Sequence, residues 1–221
     1  AAYVALADVH VAEFYFANRQ LSETLDLVLP LADKALELDP AFGPAHAMRG
    51  WTAFERGDRA QARIDLVRAI EHKHAIPVEK LREQRVAEMG DSTELRDWVA
   101  CLVLPLTDHL TALGNPTWYA RFAAQVMADP AYNKTVTRDA LALPALVKVL
   151  EGINRCLPDL PGDVRIQRNI MGRNLLMHTC AEYERALAEG SPLPLTSWRA
   201  AASGLIDAIV GLWHAPVTRQ G

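Results

Sequence analysis

Several residue types and patterns are scarce in this chain of 221 residues, and each scarcity argues against a class of protein. The three cysteines, Cys101, Cys156 and Cys180, lie far apart and form no CxxC pair, which is not a disulfide framework and fits a reducing cytosol. No uncharged apolar run reaches the roughly 18 residues that a membrane span needs. The first residues lack the basic region of a secretory signal. We therefore expect a soluble, cytoplasmic protein with no membrane contact.

Positive charge and catalytic motifs are also scarce. The formal net charge is -4 and the pI is about 6.0, whereas small DNA-binding domains are typically basic. Glycine-rich phosphate loops are absent. His72 and His74 diverge by about 200° on a helix, and His178 and Cys180 have the same spacing, so neither pair predicts a metal site or a catalytic dyad. Other polar residues are interpreted as solvated helix surface or helix ends: Asp108, His109, Arg165, Arg168 and Arg173. The sequence predicts no catalytic residue, metal or cofactor, and hence no enzyme.

The residues that are abundant favour helices. Alanine and leucine are the two most frequent residues, and both are good helix formers. Half of the chain is hydrophobic, which is too much for a disordered protein. Apolar residues recur at helical spacing, and no segment shows a convincing strand-like alternation. The clearest stripe consists of Leu21, Leu25, Val28, Leu29, Ala32, Ala35 and Leu36. We predict an all-α fold.

Prolines, glycines and capping residues set the predicted helix boundaries. We expect Pro77 to open a new section and Pro130 to stop a helix, with Asp58 and Thr196 as N-caps. The predicted helices cover about 3–17, 21–38, 44–56, 59–72, 78–88, 93–113, 117–128, 137–156, 163–189 and 197–213. Helices before residues 74–78 are short and similar in length, and those after are longer. The change predicts two domains, residues 1–76 and 77–221.

The first domain has the spacing of a helix-turn-helix repeat. Small residues are placed where two helices would cross. The residues concerned follow one another at spacings of 7, 5, 4 and 3: Gly50, Gly57, Ala62, Leu66 and Ala69. The segment of about 3–74 resembles tetratricopeptide repeats, with one good repeat after a degenerate one. The resemblance implies helical hairpins that can contact a protein. Because stacked repeats normally bury a core over three or more units, two hairpins that merely pack together remain an alternative.

The second domain resembles a different family. Five segments follow one another along the chain: LREQRVAEM, ELRDWVACLVLPLTDHL, NPTWYARFAAQVMADPA, IQRNIMGRNLLMHTCAEYERAL and SWRAAASGLIDAIVGLWHAPV. Together they resemble the C-terminal ligand-binding and dimerisation domain of TetR-family transcriptional regulators, over about 79–217. PTWYARFAAQV and SWRAAASGLIDAIVGLW are the most specific of these segments. The resemblance implies a helical bundle that forms homodimers and binds a small-molecule effector.

The last two predicted helices carry more apolar surface than one buried face requires. A helix that is apolar most of the way round must be covered on both sides, and a second subunit can supply the cover. The resemblance implies a four-helix bundle between two subunits related by two-fold symmetry. Burial of both helices inside a monomer is the alternative. The predicted interface residues are Ile166, Ile170, Met177, Tyr183, Trp198, Ala202, Leu205, Ile206, Ile209, Val210 and Trp213.

A pocket for a small apolar effector is expected between the long helices. A largely apolar lining with a few polar groups is typical of small-molecule sites. The spacing of these residues along the helices, and the helix faces on which it places them, predict the pocket lining: Leu102, Leu106, Trp118, Tyr119, Phe122, Val126, Leu146, Leu150, Met171, Leu175 and His178. For any single leucine or methionine among them, an ordinary core position is the alternative.

The N-terminal DNA-binding domain of TetR regulators has no counterpart in the sequence, because the repeat-like segment stands in its place. We therefore expect an effector-sensing and dimerisation region whose partners are a second copy and a small molecule. DNA becomes a partner only if a binding head exists that the sequence does not show. The alternative function is a non-enzymatic adaptor that binds another protein through its N-terminal repeats.

Overall fold

A computed structural model describes residues 1–191 and 197–217. Within those ranges the chain forms ten α-helices and no strand, which confirms the all-α prediction. The helices are α1 (Ala2–Phe16), α2 (Leu21–Leu38), α3 (Gly43–Glu55), α4 (Arg59–Met89), α5 (Leu95–Leu113), α6 (Tyr119–Ala128), α7 (Pro130–Ala140), α8 (Pro144–Arg155), α9 (Gly162–Glu189) and α10 (Trp198–His214). None of the helices in the described ranges combines the length and apolar character that crossing a membrane would require.

The chain divides into two compact units, Ala1–Ala75 and Ile76–Gly221. In the first unit α2 packs against both α1 and α3, and α1 also contacts α3. A small core joins these three helices, and its buried members are Val4, Ala35, Leu36 and Ala45. At Gly50, α3 approaches α4 so closely that a Cβ there would lie 3.1 Å from the Cβ of Asp65. A side chain at this position would press on α4, so the close helix crossing favours glycine.

The second unit is built around α5. Its side chains Trp98, Val99, Val103 and Leu110 are fully buried. α5 packs against α8 and α10, while α9 packs against α6 and α10. These side chains place α5 at the centre of the core of this unit, and each fully buried apolar side chain contributes about 1.5–3 kcal/mol of transfer free energy.

Pro77 lies inside α4, so the predicted boundary between helices at 59–72 and 78–88 is wrong. A proline removes one backbone hydrogen bond and costs about 3 kcal/mol in a helix interior. The helix continues because residues on both sides of Pro77 are anchored by burial: His74 precedes it, and Val78 and Val86 follow it. Tertiary packing of those side chains outweighs the local cost.

Pro130 and Pro144 begin helices. The helix that we expected to stop before Pro130 does end, at Ala128, whereas residues 137–156, predicted as one helix, are divided between the end of α7 and α8. A proline is favoured in the first turn of a helix because the N–H that it lacks has no partner there. Asp129 reinforces the start of α7, since its carboxylate accepts a hydrogen bond from the Ala131 N–H at 2.8 Å.

The N-cap predictions have different outcomes. Asp58 is confirmed as a cap, because its Oδ1 accepts a hydrogen bond from the Gln61 N–H at 3.0 Å at the start of α4. Thr196 lies outside the described residues. The cap observed for α10 is Ser197, whose Oγ accepts a hydrogen bond from the Ala200 N–H at 3.2 Å.

Arg168 is buried, so its assignment to a solvated helix face is wrong. Its guanidinium donates hydrogen bonds to the backbone oxygens of Trp213 and Ala215 at the end of α10. Arg165 similarly donates to the backbone oxygens of Leu157 and Leu160. The final carbonyls of α10 lack partners within the helix and carry partial negative charge. The Arg168 guanidinium therefore supplies both the missing hydrogen bonds and a compensating positive charge.

Candidate functional site

The predicted pocket residues are divided between the core and the surface of the second unit. Three are buried: Leu106, Tyr119 and Val126. Four are partly buried: Leu102, Phe122, Leu146 and Leu150. Four are exposed: Trp118, Met171, Leu175 and His178. The members that the structure brings together lie where α6 begins beside α5.

Two aromatic contacts surround the start of α6. The rings of Trp118 and Phe122 meet edge to face, with centroids 5.9 Å apart. The rings of His109 and Tyr119 form a second edge-to-face pair at 6.1 Å. This geometry is favoured by aromatic quadrupoles and orders the ring positions. We call these four residues the α6 aromatic cluster. Trp118 is 51% exposed, so the cluster extends from the core to the solvent.

His109 contributes an imidazole to the α6 aromatic cluster. It is buried, so its assignment to helix-end polarity is wrong, whereas its neighbour Asp108 does lie at the surface in an ion pair with Arg85 at 2.6 Å. Burial lowers the pKa of His109 below the ordinary histidine value and favours the neutral imidazole. A neutral imidazole among aromatic rings suits an uncharged, largely apolar ligand that makes few polar contacts.

A buried carboxylate holds α6 to α9. The Glu184 carboxylate of α9 accepts hydrogen bonds from the N–H groups of Ala120 and Arg121 at 3.1 and 3.0 Å, and from Arg121 Nε at 3.2 Å. The negative charge therefore sits at the positive end of α6, where such charges are stabilising. Sequence reasoning missed this role. The available signal was an acidic residue four positions after Cys180, on the buried stripe of α9.

Glu79 plays the same part for α8. Its Oε1 accepts hydrogen bonds from the N–H groups of Ala145 and Leu146 at 2.6 and 3.3 Å, while Arg82 donates to Oε2 at 2.6 Å. Glu79 and Arg82 are both buried, so the ion pair also compensates two charges that would otherwise be costly. The first N–H groups of α6 and α8 are thus each bound by a glutamate of a longer helix that is distant in sequence, α9 for α6 and α4 for α8.

An open groove of about 640 Å³ runs beside α8. Its lining consists of Asp91, Ser92, Thr93, Pro144, Val147, Lys148, Glu151, Arg155 and Cys156, and includes no predicted pocket residue. The charges of this lining balance, with two cations and two carboxylates. Arg155 also stacks on the Trp98 ring, with its guanidinium carbon 5.3 Å from the ring centroid. The groove therefore has no excess charge to attract an ionic ligand.

The predicted interface residues are mostly covered within the chain. Six are buried: Tyr183, Ala202, Leu205, Ile206, Ile209 and Trp213. Three are partly buried: Met177, Trp198 and Val210. Two are exposed: Ile166 and Ile170. The apolar stripe of α10 is covered by α5 and α9 of the same chain.

α9 and α10 pack along one seam that has a core side and an outer side. Gly172 faces the seam, because a Cβ there would lie 3.9 Å from side-chain atoms of Ile209 and Leu212. On α9, the buried residues Leu176 and Cys180 lie on the core side. At 100° per residue, Met171 and Leu175 project on the opposite side of Gly172, towards solvent. Both are exposed, as expected for the outer side.

The outer side of α10 consists of small residues. The flank of α10 towards α5 is identified by Asp207, which pairs with Arg96 of α5 at 2.6 Å. On the flank towards α9, the exposed residues are Gly204, Ala208 and Gly211. A Cβ at Gly204 or Gly211 would meet no other atom within 4 Å. We call Met171, Leu175, Gly204, Ala208 and Gly211 the α9–α10 outer face.

His178 and Cys180 point apart, as their spacing predicts. His178 is exposed, and Cys180 is buried, where burial raises the pKa of its thiol to about 12. The thiolate that a nucleophile requires is therefore disfavoured near neutral pH. Across residues 1–191 and 197–217, no cluster of three or more His, Cys, Asp or Glu side chains is arranged to hold a metal ion.

The first unit contains a buried polar network that the sequence did not predict. Asp65 of α4 is fully buried and receives hydrogen bonds from Arg49 at 2.6 and 2.9 Å and from Gln61 at 2.8 Å. His46 Nδ1 lies 2.9 Å from the Asp65 carboxylate, and its Nε2 lies 2.9 Å from the Pro40 carbonyl oxygen. Although burial by itself would raise the pKa of Asp65, these hydrogen bonds hold it well below its usual range. The network links α3 to α4.

Comparisons with family models, with curated proteins and with solved structures found no match to this chain.

Proposed function

We propose that this chain is the effector-sensing and dimerisation region of a TetR-like regulator and acts as a homodimer through the α9–α10 outer face. The observation that carries the proposal is the character of that face: Met171 is 51% exposed, Leu175 is 36% exposed, and the adjoining surface of α10 consists of glycine and alanine. Contiguous exposed apolar surface of this kind is typical of an interaction site.

The α9–α10 outer face suits a second copy of itself. Gly204, Ala208 and Gly211 lie on successive turns, so a neighbouring helix can approach α10 closely, near the lower end of the usual 8–10 Å interaxial range. Met171 and Leu175 flank this shallow strip and supply apolar contacts. A two-fold axis would then place the two hairpins of α9 and α10 against each other as a four-helix bundle.

The dimer is tested by Ala208→Arg. An arginine at the centre of the α9–α10 outer face places an unpaired charge in the contact, and we expect the variant to become monomeric. Ser203→Arg is the matched control, because Ser203 is also exposed on α10 but lies on the flank towards α5. Light scattering after size exclusion at micromolar concentration should give twice 24.4 kDa for the wild type and the control. A monomeric wild type, or equal masses for both variants, refutes the contact.

The sensing step is proposed to start at the α6 aromatic cluster. An uncharged apolar ligand that inserts between α5 and α6 displaces Phe122 and Tyr119 and therefore moves α6. Glu184 connects α6 to α9, and α9 contributes Met171 and Leu175 to the α9–α10 outer face. A ligand that prefers one position of α6 thus shifts the population of dimer geometries. The proposal assigns no DNA contact to this chain.

A panel of uncharged apolar compounds tests this site by its effect on Tm. A ligand at one hundred times its Kd adds about 2.7 kcal/mol to the free energy of unfolding, which is a readily measured increase. Phe122→Ala should abolish the increase for any active compound. Phe54→Ala is the control, since Phe54 is an exposed aromatic residue of the first unit and should leave the increase unchanged. Equal loss in both variants argues against the α6 site.

A further inference from the structure

The open groove beside α8 lies between that helix and the segment that joins α4 to α5. Residues 91–93 of the segment form one side, and the outward face of α8 with the following Cys156 forms the other. The α8 residues of the lining share one helix face: Pro144, Val147, Lys148, Glu151 and Arg155. The Cys156 thiol donates a hydrogen bond to the Thr93 carbonyl oxygen at 3.4 Å and so joins the two sides. We call this the α8 groove, and its volume of about 640 Å³ is typical of small-molecule sites.

The ionisable side chains of the α8 groove are not paired with one another. Two are cations and two are carboxylates: Asp91, Lys148, Glu151 and Arg155. Across residues 1–191 and 197–217, none of the four forms an ion pair. Glu151 has Lys148 three residues before it and Arg155 four residues after it, which are spacings at which opposite charges on a helix can pair. Charges of both signs therefore remain available to a ligand that itself carries both signs.

Arg155 is the best ordered of the groove cations. Its guanidinium carbon lies 5.3 Å from the centroid of the Trp98 ring, a cation–π contact. Trp98 is itself fixed, because it is fully buried and donates a hydrogen bond to the Ser92 carbonyl oxygen. A side chain that is already ordered loses less entropy when it binds a ligand. Because a guanidinium can hold a carboxylate through two parallel hydrogen bonds, Arg155 is the candidate carboxylate-binding residue.

The spacing along α8 sets the length of the ligand. Glu151 precedes Arg155 by one helical turn, about 6 Å along the helix axis. The backbone of an extended dipeptide spans about 7 Å. A dipeptide that binds Arg155 through its carboxylate therefore places its ammonium group beside the Glu151 carboxylate. Val147 and Pro144 continue the same helix face beyond Glu151, so an apolar side chain on the first residue of the dipeptide would contact them.

We propose that the α8 groove binds a zwitterionic dipeptide with an apolar first residue, its carboxylate on Arg155 and its ammonium group on Glu151. A ligand with one charge of each sign and no net charge matches a lining whose own charges balance. Asp91 adds a second carboxylate on the opposite side of the groove. The site shares no residue with the α6 aromatic cluster or with the α9–α10 outer face, so it does not depend on the function proposed above.

Alkylation of Cys156 reports occupancy of the α8 groove in the full chain. Cys156 lines the groove, whereas Cys101 and Cys180 are buried, so N-ethylmaleimide should react first at Cys156. The probe is leucylglycine, and mass spectrometry locates the adduct. Leucylglycine should slow the alkylation of Cys156 in a saturable manner, and the concentration dependence gives its Kd.

Two derivatives of the probe test the two charges separately. N-acetyl-leucylglycine lacks the ammonium group, and leucylglycinamide lacks the carboxylate. Each should bind about tenfold more weakly than leucylglycine or worse, because each loses one hydrogen-bonded charge.

Variants of the groove assign each charge of the probe to its residue. Arg155→Gln should weaken leucylglycine about tenfold and leave leucylglycinamide unchanged, since the amide has no carboxylate to lose. Glu151→Gln should weaken leucylglycine similarly and leave the N-acetyl derivative unchanged. Lys148→Gln is the matched control, because it removes the other groove cation and should have little effect. Glu55→Gln, at an exposed position of the first unit, controls for changes outside the groove. A variant that merely fails to fold would lose all three compounds equally and would expose its buried thiols.

Three results would overturn the proposal. They are the absence of saturable protection by leucylglycine, equal protection by all three compounds, and loss of binding in Lys148→Gln rather than in Arg155→Gln. Phe122→Ala and Ala208→Arg should leave the protection by leucylglycine unchanged, so failure of the sensing site or of the dimer contact remains distinguishable from failure of the α8 groove.

Discussion

Gly152→Ala is expected to damage the second unit severely, although alanine is the better helix former. Gly152 lies in α8 directly against the Trp98 indole of α5. A Cβ at this position would lie 2.2 Å from Trp98 Cδ2 and 2.3 Å from Cε3. Real Cβ atoms do not approach other heavy atoms so closely, so the indole or the helix has to move.

The cost follows from how firmly Trp98 is held. Its side chain is fully buried, its Nε1 donates a hydrogen bond to the Ser92 carbonyl oxygen at 2.9 Å, and Arg155 stacks on its ring. Overpacking a dense core costs about 1–3 kcal/mol, and more where the neighbour is rigid. Alanine returns at most about 1 kcal/mol through helix propensity. Loss of the Ser92 hydrogen bond costs about 1 kcal/mol and offsets that gain, so we expect a net loss of about 1–3 kcal/mol.

Urea unfolding measured by tryptophan fluorescence and far-ultraviolet circular dichroism checks this magnitude. At an m value of about 2 kcal/mol/M the midpoint should fall by about 0.5–1.5 M. Gly172→Ala is the internal control, because its Cβ would make ordinary contacts at 3.9 Å with Ile209 and Leu212. That variant should gain up to about 1 kcal/mol. A Gly152→Ala protein as stable as the wild type would refute the argument, as would equal behaviour of the two variants.

Three further predictions concern buried charges. Glu184→Gln should cost about 1–3 kcal/mol and accelerate hydrogen exchange of the Arg121 amide, because the start of α6 loses its anionic acceptor. Arg168→Met should cost a similar amount, since the carbonyl oxygen of Trp213 is left without its donor, and thermal unfolding measures the loss. Asp65 has a lowered pKa in the folded state, so its contribution to stability is complete above its unfolded pKa of about 3.9 and is lost as the pH falls towards the folded value. Asp65→Asn should therefore lose stability at pH 7 and differ less from the wild type near pH 3.

The positions of helices could be predicted from the sequence wherever residues close together in the chain determine them. The stripe that contains Leu25, Val28, Ala32 and Leu36 corresponds to the buried side of α2, because apolar residues at helical spacing can bury only one face. The Asp58 cap was predictable from its position after Gly57, whose φ of +83° suits a glycine in a turn. These features depend on residues within a few positions of one another.

The remaining features depend on contacts between distant parts of the chain. Glu79 and Glu184 give no local sign of capping α8 and α6, because their partners lie 66 and 64 residues away. Pro77 looks like a boundary until the packing on both sides of it is known. Sequence spacing also showed that α10 is apolar on several sides, but it could not show that α5 and α9 cover those sides within one chain.

The long-range capping of α6 and α8 has a consequence for how the second unit folds. α6 and α8 have only ten and twelve residues, too few for stable helices on their own in water. Each acquires its anionic cap only after a stretch of more than sixty residues has closed into a loop. We therefore expect α4, α5 and α9 to be structured in the folding transition state and the two short helices to consolidate after it. Alanine-to-glycine substitutions in α6 and α8 should consequently speed unfolding far more than they slow folding.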